Sequence, residues 1–373
     1  MTNETAAIPP MAAQAGPSSP DESTEPSQPR RSALASLSGL ARWEVLLLVI
    51  LIGLLVVGNK LSPVFLTPLN LANLTSSVME VGVMALAMTP IIVMGDIDLS
   101  VESMVGLSGA VAGWLLLHGV PLPLGIVAAL GVGAAGGLFN GLLVTRGGLP
   151  SLVVTLGTLA LFRGFAAVLL GPVAVTAFPS WFTTLGFGYL PGTQVPWTLV
   201  VFAILAIVFW AVIHGTWIGR QIFAIGKNKE TARYSGVRVA TTRTSLFVVT
   251  GLVSALAGLM LAGYFSSVRA DNGTGLTLTV VTIVVLGGVD INGGKGSIPG
   301  VILAVFTLAA LQSILRLLGV SSDYQNVAIG LLLVVSVVTP ILARQARGLI
   351  SRASRGRPPP RDPVAGEVGY SPS

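Results

Sequence analysis

Residues 215–243 read GTWIGRQIFAIGKNKETARYSGVRVATTR and lie between two hydrophobic halves of the chain. Six of these residues are Lys or Arg, and only one, Glu230, is acidic. A basic loop between membrane spans is strongly biased towards the cytoplasm. The loop also contains more small and apolar residues than a simple flexible linker would. The sequence therefore predicts a cytoplasmic docking surface for a partner protein.

The composition of the chain indicates a polytopic membrane protein built from α-helices. Of its 373 residues 53% are hydrophobic and 10% are charged, whereas soluble domains carry about 25% charged residues. The absence of cysteine excludes disulfides, thiolate metal sites and thiol nucleophiles. The formal net charge of +6 does not indicate nucleic-acid binding, because the basic residues follow membrane topology and suit anionic lipid.

Three regions follow from the distribution of apolar residues. Residues 1–40 predict a disordered cytoplasmic tail, 41–343 a transmembrane domain, and 344–373 a basic cytoplasmic tail. The eighth apolar segment is short enough to be a broken or re-entrant helix. The transmembrane domain contains ten apolar segments, at 43–58, 74–94, 99–118, 122–144, 150–170, 197–214, 246–265, 276–290, 298–318 and 326–342.

Basic residues predict the orientation of these spans. If both termini are cytoplasmic, 17 of the 21 Lys and Arg residues fall on the cytoplasmic side. Only Lys60 and Arg269 fall outside, while Arg163 and Arg316 lie within spans. The positive-inside rule thus favours ten spans in the cell membrane with both termini in the cytoplasm.

Two ionisable residues, Glu80 and Arg163, lie inside predicted spans. Such a residue costs about 2.5–3.5 kcal/mol at the centre of a bilayer, so it usually faces a polar cavity or a charged partner. Two interpretations remain open for Glu80, a pathway or proton role and a structural pairing with Arg163. Arg163 either pairs with Glu80 or with carbonyls near Gly164, or it contacts substrate.

The turn MGDIDLSVES, residues 94–103, carries three more carboxylates, Asp96, Asp98 and Glu102. In one interpretation, Asp98 or Ser100 caps the following helix at the membrane interface. In the other, the turn contacts substrate. Uncharged polar residues inside the spans allow the same two interpretations, interhelical hydrogen bonds or a sugar pathway. They include Asn140, Thr155 and Thr158.

Two glycine motifs are weighed against nucleotide binding. Gly131-Val-Gly-Ala-Ala-Gly136 has the spacing of a dinucleotide fingerprint, but it lies inside an apolar span, where small residues let helices approach closely. Gly293-Gly-Lys295-Gly-Ser297 lacks the glycine and the hydroxyl residue that a phosphate loop requires at 289 and 296. Any ATP-driven activity must therefore use an ATPase on another polypeptide.

Four segments, 95–109, 137–164, 219–236 and 286–300, together resemble the membrane permease of ribose-type ABC importers. That family also includes permeases for galactose, xylose, rhamnose and autoinducer-2, and the resemblance covers about residues 40–343. It implies a permease homodimer or heterodimer of about ten helices per subunit, similar to the vitamin B12 importer fold. It also implies cytoplasmic ATPase subunits that bind ATP and Mg, and an extracytoplasmic sugar-binding protein.

The resemblance places a coupling helix at residues 228–236, seated in a cleft of the ATPase. Small residues there would allow close packing, and charged ones would make polar contacts. It implies no catalytic residue, cofactor or metal on this chain. The residues that it assigns to ATPase coupling are Arg220, Asn228, Lys229, Glu230, Ala232, Arg233, Ser235 and Gly236. A candidate substrate pathway consists of Glu80, Asp98, Ser100, Asn140, Thr155, Thr158 and Arg163.

The chain departs from the family pattern GGIDLSVGS at Asp96 and Glu102, which both stand where the pattern has glycine. The segment 264–297 resembles the autoinducer-2 and rhamnose branch of the family. The function expected from the resemblance is import of a monosaccharide or sugar-like molecule by alternating access. The alternative is an ion-coupled secondary transporter that uses Glu80 and Arg163.

Overall fold

A computed structural model describes the backbone of residues 31–336 and 338, and side-chain environments from residue 43 onwards. Residues 1–30 of the predicted tail at 1–40, and the whole predicted tail at 344–373, lie outside the described residues. The chain divides into two units after Ser38, and the contacts below all lie within the second. The helices are α1 (Arg31–Leu61), α2 (Pro68–Ser76), α3 (Met79–Val93), α4 (Val101–Leu117), α5 (Leu122–Thr145), α6 (Ser151–Leu170), α7 (Ser180–Phe187), α8 (Trp197–Trp210, continued by a π-turn at Ala211–Gly215), α9 (Trp217–Lys227), α10 (Lys229–Tyr234), α11 (Val239–Phe265), α12 (Leu276–Leu286) and α13 (Ile298–Leu317). Residues 322–336 are helical as well.

The regular secondary structure of the described residues consists of helices, with two isolated β-bridges and no strand, which confirms the all-α polytopic prediction. Between residues 31 and 338, the part that the structure describes, six helices are long and apolar enough to cross a membrane. The pair α2 and α3 forms a seventh candidate, bent by 47°. Two further apolar helices, α4 and α12, are shorter. The predicted number of about ten spans therefore stays a prediction.

Two predicted boundaries differ from the structure. α1 begins at Arg31, within the segment predicted to be disordered up to residue 40. α11 begins at Val239, seven residues before the predicted span at 246, so Arg243 lies in a helix rather than in the basic loop. The intervening residues VATTRTS are mostly polar, and hydropathy alone does not show that a helix extends beyond its apolar part.

α3 forms the centre of the molecule. Every one of its residues is buried, and it packs against α8, α11, α12 and α13. A helix that is apolar on all sides is stable only inside a protein or a membrane. A displacement of either end of α3 would therefore also displace several of the helices that pack against it.

Glycines let α5 and α11 cross closely. A Cβ added to Gly133 would lie 2.5 Å from the carbonyl oxygen of Gly251, and one on Gly137 would lie 2.8 Å from the Cα of Val248. This confirms the interpretation of the glycine motif as a helix contact. It does so at Gly133 and Gly136, whereas Gly131 faces open space.

α12 is too short to cross a bilayer. Its 11 residues extend about 16 Å, against a hydrocarbon core of about 30 Å. The preceding residues 267–275 run alongside α4 without helical structure. Gly106 permits this approach, because a Cβ there would lie 2.8 Å from the carbonyl oxygen of Asn272. The eighth apolar segment, which we call the broken span, thus holds only a short helix, and its course as a broken or a re-entrant helix stays a prediction.

The basic loop packs on one end of the helix bundle. The N–H of Gly294 donates to the carbonyl oxygen of Val93 at the end of α3 (2.7 Å). A Cβ on Gly226 of α9 would lie 2.5 Å from the nitrogen of Gly294. The end of α3, the loop before α13 and α9 therefore meet at what we call the coupling end.

We expect Gly137→Ala to lower the thermal stability of the purified protein in detergent, because the added methyl group forces α5 away from α11. The measurement is the apparent melting temperature by size-exclusion chromatography of heated samples. Gly131→Ala is the matched control on the same helix, and it should be neutral or stabilising, since alanine favours helix by about 1 kcal/mol over glycine. Equal melting temperatures for the two variants would contradict the crossing.

Candidate functional site

The residues 95–102, which we call the acidic turn, connect α3 to α4 at the coupling end. Gly95 ends α3 with a φ of +82°. Its N–H donates to the carbonyl oxygen of Ile92 (2.8 Å), and the N–H of Asp96 donates to that of Ile91 (3.1 Å). This is a glycine-dependent helix ending, which glycine adopts without a Cβ penalty. It fixes the start of a turn in which all three carboxylates are buried.

Asp96 forms an ion pair with two parallel hydrogen bonds. Its side chain is 3% exposed, and both of its oxygens accept from Arg243 of α11, from Nε and from a terminal nitrogen, each at 2.7 Å. Lys229 of α10 lies 3.5 Å from the same carboxylate. Two parallel bonds between arginine and a carboxylate fix orientation as well as charge.

Asp98 lies in a second polar cluster, with Ser100 and Asn140. The Asp98 carboxylate accepts from the backbone N–H (2.9 Å) and the hydroxyl (2.6 Å) of Ser100. The amide of Asn140 donates to the Ser100 hydroxyl oxygen (2.9 Å), while its own Oδ1 is buried without a partner among the described residues. Burial raises the pKa of Asp98 to about 6, and the hydrogen bonds from Ser100 lower it. Ser100 is the N-cap residue of α4, but its side chain makes no capping bond.

Glu102 joins three elements. One of its oxygens accepts from Arg163 of α6 at 2.5 Å. The other accepts from the N–H groups of Gly275 (3.1 Å) and Thr277 (3.2 Å) at the start of α12. A helix N-terminus carries partial positive charge and orphan N–H groups, so a carboxylate stabilises it. Glu102 therefore stabilises the start of α12 by accepting its free N–H groups.

The partner of Arg163 corrects the sequence analysis. Pairing with Glu80 was wrong, because the structure pairs Arg163 with Glu102. Glu80 lies in the first turn of α3, about 20 Å along that helix from the acidic turn. The side chain of Arg163 remains 42% exposed, on a helix long and apolar enough to span a membrane.

The two threonines of the predicted pathway lie on α6 near the acidic turn. Thr155 is buried and donates to the carbonyl oxygens of Ser151 (2.9 Å) and Ile97 (3.4 Å). Thr158 donates to that of Val154 (3.1 Å) within its own helix. The structure thus gathers Asp98, Ser100, Asn140 and Thr155 around one turn, and their role in a pathway stays a prediction.

α10 coincides with the predicted coupling helix. Asn228 caps it by accepting from the N–H of Thr231 (2.9 Å), and Gly236 ends it with a φ of +83°. Ala232 is 3% exposed, so its side chain packs inside this chain and the neighbouring residues form the outer surface. The exposed members of the predicted coupling set are Arg220, Asn228, Lys229, Glu230, Arg233, Ser235 and Gly236.

Sequence reasoning missed one prominent residue, Tyr234. Its side chain is 84% exposed at the last position of α10. Large aromatic residues are enriched at protein interfaces, where they anchor binding. The available signal was an aromatic ring within an otherwise polar helix at the centre of the basic loop.

Comparisons with known proteins agree with this architecture. The family described as branched-chain amino acid transport system / permease component matches residues 70–337. The autoinducer 2 import system permease protein LsrD of Escherichia coli K12 is 39% identical over 302 residues, which cover 79% of this chain and 91% of the relative. The protein of the same name from Shigella flexneri matches equally well. No solved structure matches. The family resemblance is thereby confirmed.

We expect Glu102→Ala to destabilise the protein, with Glu102→Gln intermediate. Alanine removes the acceptor at the start of α12, which costs about 0.5–2 kcal/mol for a helix cap, and also leaves Arg163 without its counter-ion. The apparent melting temperature in detergent measures this order. Glu230→Ala, an exposed carboxylate on α10, should leave that temperature unchanged. A wild-type melting temperature for Glu102→Ala would show that the broken span does not depend on this carboxylate.

Proposed function

The chain belongs to the permease-component family of branched-chain amino acid transport systems, and from this we propose that it is the membrane subunit of an ATP-driven importer for a sugar-like small molecule. The observation that carries the proposal is the 39% identity to an autoinducer 2 import permease over 91% of that relative. The proposed substrate is a sugar-like molecule of the autoinducer-2 or rhamnose type. An identity that extends over nearly the whole relative favours a shared transport role.

The proposed mechanism is alternating access without covalent chemistry on the substrate. A loaded binding protein docks outside the cell, and partner ATPase subunits bind ATP and Mg in the cytoplasm. A second permease subunit completes the pathway. Both termini and the coupling end lie on the cytoplasmic side of the inner membrane. This chain itself holds no cofactor.

The form of α10 supports its role as the ATPase contact. It is a short, capped helix that presents Glu230, Arg233 and Tyr234 to solvent. It also lies beside the end of the central helix α3, through Lys229 and the acidic turn. A partner that moves α10 would therefore act close to the centre of the bundle.

The proposed pathway uses uncharged polar groups near the acidic turn, chiefly Ser100, Asn140 and Thr155. A neutral polyol is recognised by hydrogen bonds from such groups. Arg163 contributes as a charge held in place by Glu102. That ion pair also weakens the alternative of an ion-coupled transporter, since it separates Arg163 from Glu80.

The experiment is purification of this chain together with its co-expressed gene neighbours, followed by ATP hydrolysis assays with and without candidate sugar-binding proteins. A co-purifying ATPase that one loaded binding protein stimulates supports the proposal and identifies the substrate. A stable chain that transports sugar without any ATPase would instead favour the ion-coupled alternative.

We expect Tyr234→Ala to reduce the amount of ATPase that co-purifies with this chain by at least fivefold, because it removes the largest exposed side chain of α10. Tyr324→Ala is the matched control, since Tyr324 is 72% exposed in the helical residues 322–336. Both variants should elute as monodisperse species. Equal ATPase recovery from the two would argue against α10 as the contact.

A substitution at the end of α10, Gly236→Trp, should separate ATP hydrolysis from transport.

A further inference from the structure

The carboxylate of Asp96 connects three separate elements of the coupling end. It belongs to the turn after α3, it pairs with Arg243 near the start of α11, and it contacts Lys229, the first residue of α10. Lys229 and Arg243 flank the coupling helix in sequence, one at its first residue and one beyond its end. A single buried carboxylate therefore holds the segment that contains α10 from both sides.

The position of Asp96 is set by the backbone rather than by its side chain. Its N–H closes the end of α3 by donating to Ile91, directly after the left-handed residue Gly95. The carboxylate is therefore a rigid extension of the central helix. Its two 2.7 Å bonds to Arg243 allow little rotation, because both partners are planar and both bonds must form together.

The residues that follow Asp96 in the acidic turn make further polar contacts with other helices. Two residues later, Asp98 joins the cluster with Ser100 and Asn140. Six residues later, Glu102 holds Arg163 and the start of α12. A displacement of Asp96 is thus passed to α4, α5, α6 and α12 through direct bonds, in addition to its effect on α3.

The carboxylate is an addition to the pattern that this turn resembles, which has glycine at the position of Asp96. The surrounding residues Asp98, Leu99 and Ser100 match that pattern. A turn with glycine here would have the same backbone ending but no ionic link to α10 or α11. The link is therefore a feature of this chain and not a requirement of the helix ending.

We propose that Asp96 is a positioning residue that transmits movement of the coupling helix α10 to the acidic turn and thereby to the transmembrane helices. The proposal rests on the proposed function, since it requires a partner ATPase that moves α10. If Asp96 had a purely structural role, loss of its carboxylate should abolish ATP hydrolysis and transport together. The proposed role predicts instead that this loss separates ATP hydrolysis from transport.

The test compares Asp96→Asn with wild type in the reconstituted complex of this chain, its ATPase and its binding protein. Asparagine keeps the size of the side chain and removes the charge that orients Arg243. We expect the ratio of ATP hydrolysed to substrate transported to rise at least tenfold, while the ATPase still co-purifies. Asp96→Glu, which restores the charge, should recover part of the coupling.

Asp271→Asn is the matched control. Asp271 also accepts from an arginine, Arg269, at 3.0 Å, but both side chains are more than half exposed and belong to the loop before α12 rather than to α10 or α11. This variant should keep the wild-type ratio. It separates the effect of the buried link from the effect of losing any carboxylate–arginine pair.

If Asp96→Asn does not fold, Arg243→Lys replaces it. Lysine keeps the positive charge but cannot form the two parallel bonds, so the ratio should again rise while the complex remains intact. A wild-type ratio for both Asp96→Asn and Arg243→Lys would overturn the proposal. Loss of transport in strict proportion to loss of assembled complex would overturn it as well, because that result indicates a purely structural role.

The wild-type complex distinguishes this proposal from the proposed function. A wild-type chain without any stimulated ATPase would remove the proposed function and this inference together. A stimulated wild-type complex whose coupling does not respond to Asp96→Asn would leave the proposed function standing and remove only the role of Asp96.

Discussion

A carboxylate that is buried away from water must be neutralised by a cation or by N–H groups, and this constraint organises the coupling end of the protein. Removing one partner of a buried ion pair is strongly destabilising, by about 3–5 kcal/mol, because the other charge is left unpaired. Asp96 and Glu102 each meet the constraint with an arginine from a different helix. The acidic turn therefore determines where α6, α11 and α12 come together.

Close helix packing is the second condition on which the arrangement depends. Lipid tails are as apolar as leucine side chains, so helices in a membrane associate mainly through tight van der Waals contact and polar bonds. Gly133 and Gly137 provide the contact between α5 and α11. Gly106 lets non-helical backbone approach α4, and Glu102 then accepts the N–H groups at the start of α12. Irregular backbone at this depth is tolerated because it is covered and hydrogen-bonded by protein.

These features fit the proposed function, in which the proposed ATPase contact lies close to the centre of the bundle. α10 is small, but it is attached through Lys229 and Asp96 to the end of a helix that is buried along its whole length. Close packing transmits displacement, because a dense interior has few alternative arrangements. Within the acidic turn, the two carboxylates that depart from the family pattern are also the two that pair with arginines, which gives this chain links that the glycine pattern lacks.

The sequence by itself determined the class of protein, the existence of most apolar helices, the basic loop between them and the family. Composition, periodicity and local motifs are properties of neighbouring residues, so they can be read without a fold. The small residues of α5 belong to the same category, because the motif can be seen in the sequence, although its partner α11 cannot.

Only the tertiary structure decided the partners of the charged residues. Arg163 binds a carboxylate 61 positions away, Arg243 one 147 positions away, and Glu102 caps a helix 173 positions further along the chain. Glu80 was an equally reasonable partner for Arg163 from charge and burial alone. The choice between them is made by which helices are adjacent and at what depth, and those properties arise from the packing of the whole bundle rather than from any local pattern.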